Sequence, residues 1–205
     1  MRLPAPPLLV VTDRHQLAGS MATMAEAVFA GGGRWISLRE KDLPADDQVR
    51  LARDLRRRAQ ACGACVTVHG SPEVARQAGA RGVHLPEAGD AAAARGMLGE
   101  DALIGQSVHT LAQARAADPA HVDYIIAGPA FATASKPGYG PVLGEAGLAA
   151  IVAVSRVPVI AIGGIDAVSA PRCRQAGAAG LAVMGGVMRA GDPAAEVRAL
   201  IASLG

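Results

Sequence analysis

Aromatic residues make up only 2% of this 205-residue chain, although hydrophobic residues reach 51%. A core with so few large rings has to be filled by Ala, Val, Leu and Ile, small shapes that suit layered strands with helices packed close against them, and this favours an α/β architecture. A dominant charge sign is also missing: 20 Lys and Arg stand against 18 Asp and Glu, a formal net charge of +2. No global basic field is present to recruit nucleic acid. No apolar run approaches the roughly 18 residues of a membrane span. The N-terminal MRLPAPPLLVVTD is interrupted by Asp13 and Arg14 before any cleavage pattern, which predicts a cytoplasmic protein without a signal peptide. No Ser/Gly tract, charge block or long polar stretch marks a linker, so a single domain over residues 1–205 is expected. Cysteine is scarce and odd in number. Cys62-Gly-Ala-Cys65 has the spacing of a redox or zinc half-site with no second pair to complete it, and small buried thiols are the simpler reading of it and of Cys173.

What is present is a rhythm. Short apolar runs recur at Leu8–Val11, Trp35–Leu38, Cys65–Val68, Gly82–Leu85, Leu103–Val108, Tyr124–Ala127, Val157–Ile162 and Leu181–Met184. Between them stand helix-start signals, among them Ser71-Pro-Glu73, Thr110-Leu-Ala-Gln113 and Asp192-Pro193, in which a capping side chain precedes proline or is answered three residues later. Eight runs that are apolar on both faces, each separated by a helical segment, predict parallel strands buried on both sides. Such strands close into a (βα)8 TIM barrel. Gly79-Ala-Arg-Gly82 and Gly177-Ala-Ala-Gly180 echo one another as helix ends turning into strands, which is architecture and carries no chemistry.

In such a barrel functional groups follow the C-terminal ends of the strands. There the chain carries Thr12-Asp13-Arg14, then Arg39-Glu40-Lys41, His69-Gly70, His84 with Pro86-Glu87, and Ser107 with His109. The sixth run, from Tyr124, leads through Gly128-Pro129 into a loop with Thr133, Ser135 and Lys136. The seventh and eighth end in Gly163-Gly164 and Gly185-Gly186. Glycine lets backbone N–H groups approach a ligand closely, and hydroxyls plus a lysine add donors, the chemistry that a phosphate needs. Loops seven and eight are also where such barrels commonly hold phosphate. A phosphorylated small molecule is therefore the expected ligand. The run Arg53-Asp-Leu-Arg-Arg-Arg58 reads as a solvated helix face, and Glu40, turned away from Arg39 and Lys41 by strand alternation, as a salt-bridge support.

In order, Val11-Thr-Asp13, Ser37-Leu-Arg-Glu-Lys41, Gly82-Val-His-Leu85, Gly105-Gln-Ser-Val-His-Thr110, Gly128-Pro129, Thr133-Ala-Ser-Lys136-Pro and Ala161-Ile-Gly-Gly-Ile165 resemble the thiamine phosphate synthase and TenI superfamily over nearly the whole chain. The resemblance implies that hydroxymethylpyrimidine diphosphate loses diphosphate and that the resulting cation is captured by the nitrogen of thiazole phosphate. It places Arg39 and Lys41 on the diphosphate, Ser107 as the strand-five hydroxyl, Lys136 as the loop-six lysine, Thr133 and Ser135 beside the thiazole phosphate, and Gly164 as its backbone donor. It also implies Mg²⁺, and a homo-oligomer as in relatives that pair or form rings.

Five residues depart from that pattern. The Asn-Asp pair expected after strand three is His69-Gly70, the second magnesium Asp is Gly89, the pyrimidine-contacting glutamine is Ser37, and the strand-eight serine is Gly185. A one-residue loop shift would offer Asp90 as a metal ligand. His69 is open to three readings: proton shuttle, hydrogen-bond partner to the pyrimidine edge, or packed residue. The tautomerases of the TenI group need no metal, but their acid/base histidine corresponds to Pro129 here. The alternatives to a synthase are thus a TenI-like tautomerase and a non-catalytic phosphate-ligand sensor.

Overall fold

The computed structural model describes residues 3–133 and 141–204. Eight strands, β1 (Leu8–Val11), β2 (Trp35–Leu38), β3 (Cys65–His69), β4 (Gly82–Leu85), β5 (Leu103–Val108), β6 (Tyr124–Ala127), β7 (Val159–Ile162) and β8 (Gly180–Val183), pair in chain order. All pairings are parallel, and β1 closes the ring on β8 with Leu8 opposite Leu181 and Val10 opposite Val183. The (βα)8 barrel is the architecture predicted from the alternating runs. Five of the eight strands have the bounds of the predicted runs, and β3, β7 and β8 differ from theirs by one or two residues.

Helices follow the strands: α1 (Met21–Ala30), α2 (Ala45–Gln60), α3 (Pro72–Ala78), α4 (Ala91–Leu98), α5 (Leu111–Ala116), α6 (Gly144–Val154), α7 (Ala170–Gln175), the short α8 (Gly185–Met188) and α9 (Pro193–Ala202). Their starts are written in the sequence. Ser71 caps α3 through the Val74 N–H, Thr110 and Gln113 form a reciprocal capping box on α5, and Asp192 caps α9 with Pro193 in the first turn. None of the described helices is long and apolar enough to cross a membrane.

Strand alternation splits the core in two. Leu8, Val10, Ile36, Leu38, Val66, Val68, Val83 and Leu85 belong to the cluster between strands and helices. Leu9, Val11, Trp35, Leu103, Tyr124, Ile126, Ile160 and Ala182 fill the barrel interior. Two of the few aromatics therefore do a large share of the interior filling. Trp35 and Tyr124 meet edge to face at 5.0 Å, and the Trp35 Nε1–H donates to Thr67 Oγ1 at 3.2 Å. Room for the Tyr124 ring comes from Gly105, where an added Cβ would lie 2.1 Å from the ring. Above this plug the barrel mouth is left open.

The cysteines behave as apolar packing groups. Cys173 is buried in α7, Cys65 begins β3, and burial pushes both thiols up to about 11. Both are thus unreactive protonated thiols at neutral pH.

Candidate active site

A cavity of ≈ 520 Å³ sits over the C-terminal ends of the strands. Two arcs of its rim differ in chemistry. On the arc from β2 to β5 it is lined by Ser37, Arg39, Lys41, His69, His84 and Ser107. On the arc from β6 to β8 it is lined by Gly128, Pro129, Thr133, the two glycine pairs 163–164 and 185–186, Asp166 and Arg189. The apolar side chains Val11, Ile126 and Ile162 form part of the remainder.

The cations Arg39 and Lys41 flank Glu40, which is 2% exposed. Thr12 Oγ1 donates to Glu40 Oε1 at 2.7 Å, and the Arg39 N–H donates to the same Thr12 oxygen at 2.9 Å. The Arg14 N–H reaches both Glu40 oxygens at 3.1 and 3.2 Å, and its guanidinium pairs with Glu40 at 3.3 Å and with Asp42 at 2.5 Å. Glu40 is thus the internal strut that alternation predicted, and it fixes the backbone that carries the two cations. Burial, and then the nearby Arg39 charge, lower the pKa of Lys41, so the ammonium gains by meeting an anion. Asp13 caps the short 3-10 turn at Arg14–Gln16 through the His15 N–H and the Gln16 side chain.

The histidines occupy distinct places. His84 is 1% exposed, and its Nε2 lies 2.9 Å from Ser107 Oγ. Burial, aided by the Lys41 charge, holds its pKa down at about 3, so the ring is neutral at physiological pH. Its ring packs against His69 at 5.0 Å and Tyr124 at 5.7 Å. His69 closes β3 opposite His84 and lines the cavity, half-buried. His109 Nδ1 meets the Gly128 carbonyl at 2.9 Å and ties β5 to the segment after β6.

Loops six and seven are built as one piece. Ala130 N–H donates to Ile162 O at 2.7 Å and Phe131 N–H to Gly163 O at 3.0 Å. Gly164 has φ +62, and a Cβ there would stand 2.3 Å from Ala132 O, so the backbones meet where no side chain fits. Asp166 places a carboxylate near this glycine pair, but Oδ1 accepts the Val168 and Ser169 N–H groups at 3.0 and 2.7 Å and the Ser169 hydroxyl at 2.9 Å. These bonds, the Ser169 N–H foremost, lower its pKa and hold its charge within the turn.

Of the site residues predicted from sequence, the cavity brings together Arg39, Lys41, His69, Ser107, Thr133, Gly163, Gly164, Gly185 and Gly186. Ser135 and Lys136 lie outside the described residues. Asp90 is not in the cavity lining: its Oδ1 accepts the Ala93 N–H at 2.9 Å as the N-cap of α4. Sequence reasoning missed Arg189, which follows α8, lines the cavity beside Gly185-Gly186 and hydrogen-bonds Gln16. Its signal was its place one helical turn after the second glycine pair.

A family model described as thiamine monophosphate synthase matches residues 8–187. A Geobacter sulfurreducens protein described as "Putative thiamine-phosphate synthase" is 42% identical over 96% of this chain and 93% of its own length. The thiamine-phosphate synthase of Roseiflexus sp. strain RS-1 is 38% identical over 93% of this chain and 82% of its own. The solved thiamine phosphate pyrophosphorylase of Pyrococcus furiosus superposes with a TM-score of 0.85 at 29% identity, covering 96% of this chain and 94% of that one. With a matched model spanning nearly the whole barrel and relatives similar along most of their length, the chain belongs to the thiamine monophosphate synthase family.

Proposed function

We propose that this barrel joins hydroxymethylpyrimidine diphosphate to thiazole phosphate, forming thiamine phosphate and releasing diphosphate. The observation that carries this reading is one cavity with two anion-ready arcs, the cations of β2 on one and the glycine pairs of β7 and β8 with Thr133 and Arg189 on the other. A tautomerase acting on a thiazole carboxylate phosphate would also present two anionic groups, so the residue at the tautomerase's acid/base position separates the two readings. At the position of the tautomerase histidine stands Pro129, whose ring has no proton to exchange.

The chemistry follows from these groups. The bond between the pyrimidine methylene carbon and the diphosphate oxygen breaks with its electron pair leaving on the diphosphate. Arg39 and Lys41 meet that developing charge in a partly dry cavity, where fixed cations act more strongly than in water. The thiazole nitrogen lone pair then closes on the carbocation, which yields thiamine phosphate. Val11, Ile126 and Ile162 shield the cation from water during its lifetime. Thr133, the glycine backbone and Arg189 hold the thiazole phosphate, with Ser135 and Lys136 as further ligands in this reading.

Magnesium, expected from the family resemblance, meets a poor fit in the residues present. Gly70 and Gly89 occupy the two carboxylate positions, and a Cβ at Gly89 would already lie 2.8 Å from Leu85 Cβ. Asp90 is committed to the α4 cap. Among the described residues no group of three or more His, Cys, Asp or Glu is arranged to hold a metal.

The test is to incubate the protein with both substrates, with and without Mg²⁺, and separately with the thiazole carboxylate tautomer, following products by chromatography. Thiamine phosphate is the expected product. Tautomer conversion alone would replace this reading with an isomerase, and phosphate-ligand binding without either product with a sensor. In this proposal the reaction is cytoplasmic, a reading that its small phosphorylated substrates support.

A further inference from the structure

We propose that His84 is a positioning residue that orients the Ser107 hydroxyl: its Nε2–H donates to Ser107 Oγ, leaving the serine hydrogen free for an acceptor atom of the ligand. In the reaction proposed above, on which this assignment of the ligand rests, that acceptor is an oxygen of the diphosphate.

The direction of the 2.9 Å contact follows from the other nitrogen of the ring. His84 Nδ1 is buried and has no hydrogen-bond partner among the described residues. Were Ser107 to donate to a bare Nε2, the ring proton would sit on Nδ1 as an orphaned N–H. A buried donor without a partner is rarer than a buried acceptor without one. An imidazolium would add a buried charge to the same orphan, and burial beside Lys41 opposes it. The Nε2–H form is the one that leaves only an acceptor unmet.

The geometry also keeps the ring from turning to suit Ser107. His69 and Tyr124 pack on it at 5.0 and 5.7 Å, and the register places His84 directly opposite Gly105, two residues before Ser107. The gap left by Gly105 admits the Tyr124 ring. Ser107 is only half-buried and lines the cavity, so its hydroxyl can point the freed hydrogen into the cavity. The aromatic plug beneath the cavity and the serine at its floor thus form one construction: Tyr124 supports His84, and His84 supports the serine.

The tautomer is read directly by nitrogen NMR on the unaltered protein labelled with ¹⁵N-histidine, the His84 signals being those that vanish in His84→Gln. Protonated Nε2 with bare Nδ1 is expected throughout about pH 5.5 to 8, and a protonated Nδ1 would overturn the proposal. A mutant cycle reads the consequence. His84→Leu and Ser107→Ala should each lower kcat by about 10- to 100-fold with KM for thiazole phosphate unchanged. The double variant should be no worse than either single one, because both remove the same oriented donor. His84→Gln, which keeps an amide N–H near Nε2, should recover most of the loss. Losses that multiply in the double variant would show that His84 acts independently of Ser107. If the unaltered protein makes no thiamine phosphate, the reaction assignment fails on its own. The same cycle read as the Kd of inorganic diphosphate then decides: His84→Leu must weaken binding when Ser107 is present and have no effect in Ser107→Ala.

Discussion

His84 meets acid differently in the folded and the unfolded chain. Unfolded, it takes up a proton near pH 6.5, whereas burial in the barrel holds it neutral down to about 3. Between those values the unfolded state binds more protons, so stability falls as pH drops through the unfolded value and goes on falling towards the folded one. The loss should reach about 2 kcal/mol by roughly pH 5. The carboxylates whose pKa is lowered by neighbours, such as Glu73 beside Arg76 and Asp166 beside Ser169, give up their contribution only below about pH 4. Urea melts at about pH 7 and 5 should therefore differ in the unaltered protein, and the difference should shrink in His84→Gln by the share that His84 supplies. A difference of the same size in both proteins would count against a neutral buried ring. Arg189 carries a second prediction at this scale. Arg189→Ala should raise KM for thiazole phosphate about 10-fold, the loss of one charged hydrogen bond, while KM for the pyrimidine diphosphate stays unchanged.

At the scale of elements, the loops after β6 and β7 behave as one unit, because the Ala130 and Phe131 N–H groups donate to the β7 end and Gly164 lies against Ala132. Gly164→Ala would put a methyl 2.3 Å from the Ala132 carbonyl oxygen at a φ of +62. The expected result is a stability loss of about 1–3 kcal/mol together with a raised KM for thiazole phosphate, since the two loops must separate. Thermal melts and steady-state kinetics check both. A change in melting alone would place Gly164 outside the phosphate site. Element starts were legible where a single side chain decides them: Ser71, Thr110 and Asp192 announce their helices by capping. The short α8 was not legible, because Gly185-Gly186 lowers helix propensity and reads as a turn until the Met184 carbonyl is seen accepting from Val187 and Met188.

Across the whole molecule, the end of the barrel opposite the cavity carries a buried ion pair that takes no part in the chemistry. Below the N-terminal ends of β5 and β6, Arg95 is buried and pairs with Asp123 at 2.7 Å, and it also donates to the carbonyls of Gly99, Glu100, Ala102 and His121. Asp123 in turn accepts the Ile104 N–H at 2.8 Å. Removing one partner of such a pair leaves the other charge buried. Arg95→Ala is therefore expected to cost about 3 kcal/mol or more, while kcat and both KM values of the folded fraction remain unchanged, because the site is at the other face. Denaturant melts and active-site-normalised kinetics separate the two effects. A fall in kcat of the folded protein would show that the two faces are coupled.

The sequence by itself determined the class of this fold. Eight doubly apolar runs, spaced by capped helices, have few ways to bury both faces other than a closed parallel barrel, and the polar residues after each run then gather on one rim. The family resemblance named residues of that rim as the expected partners of the two phosphate-bearing substrates. Only the tertiary structure decided which polar groups are shared and which are committed elsewhere. Asp90 looked available beside Gly89, and it is engaged at a helix start. Glu40, His84 and Ser107 take their environments from neighbours 23 to 28 residues away along the chain. Arg189 reaches Gln16 across 173 residues. Periodicity is local and survives in the sequence, whereas burial and hydrogen-bond partnership are set by which strands become neighbours when the barrel closes.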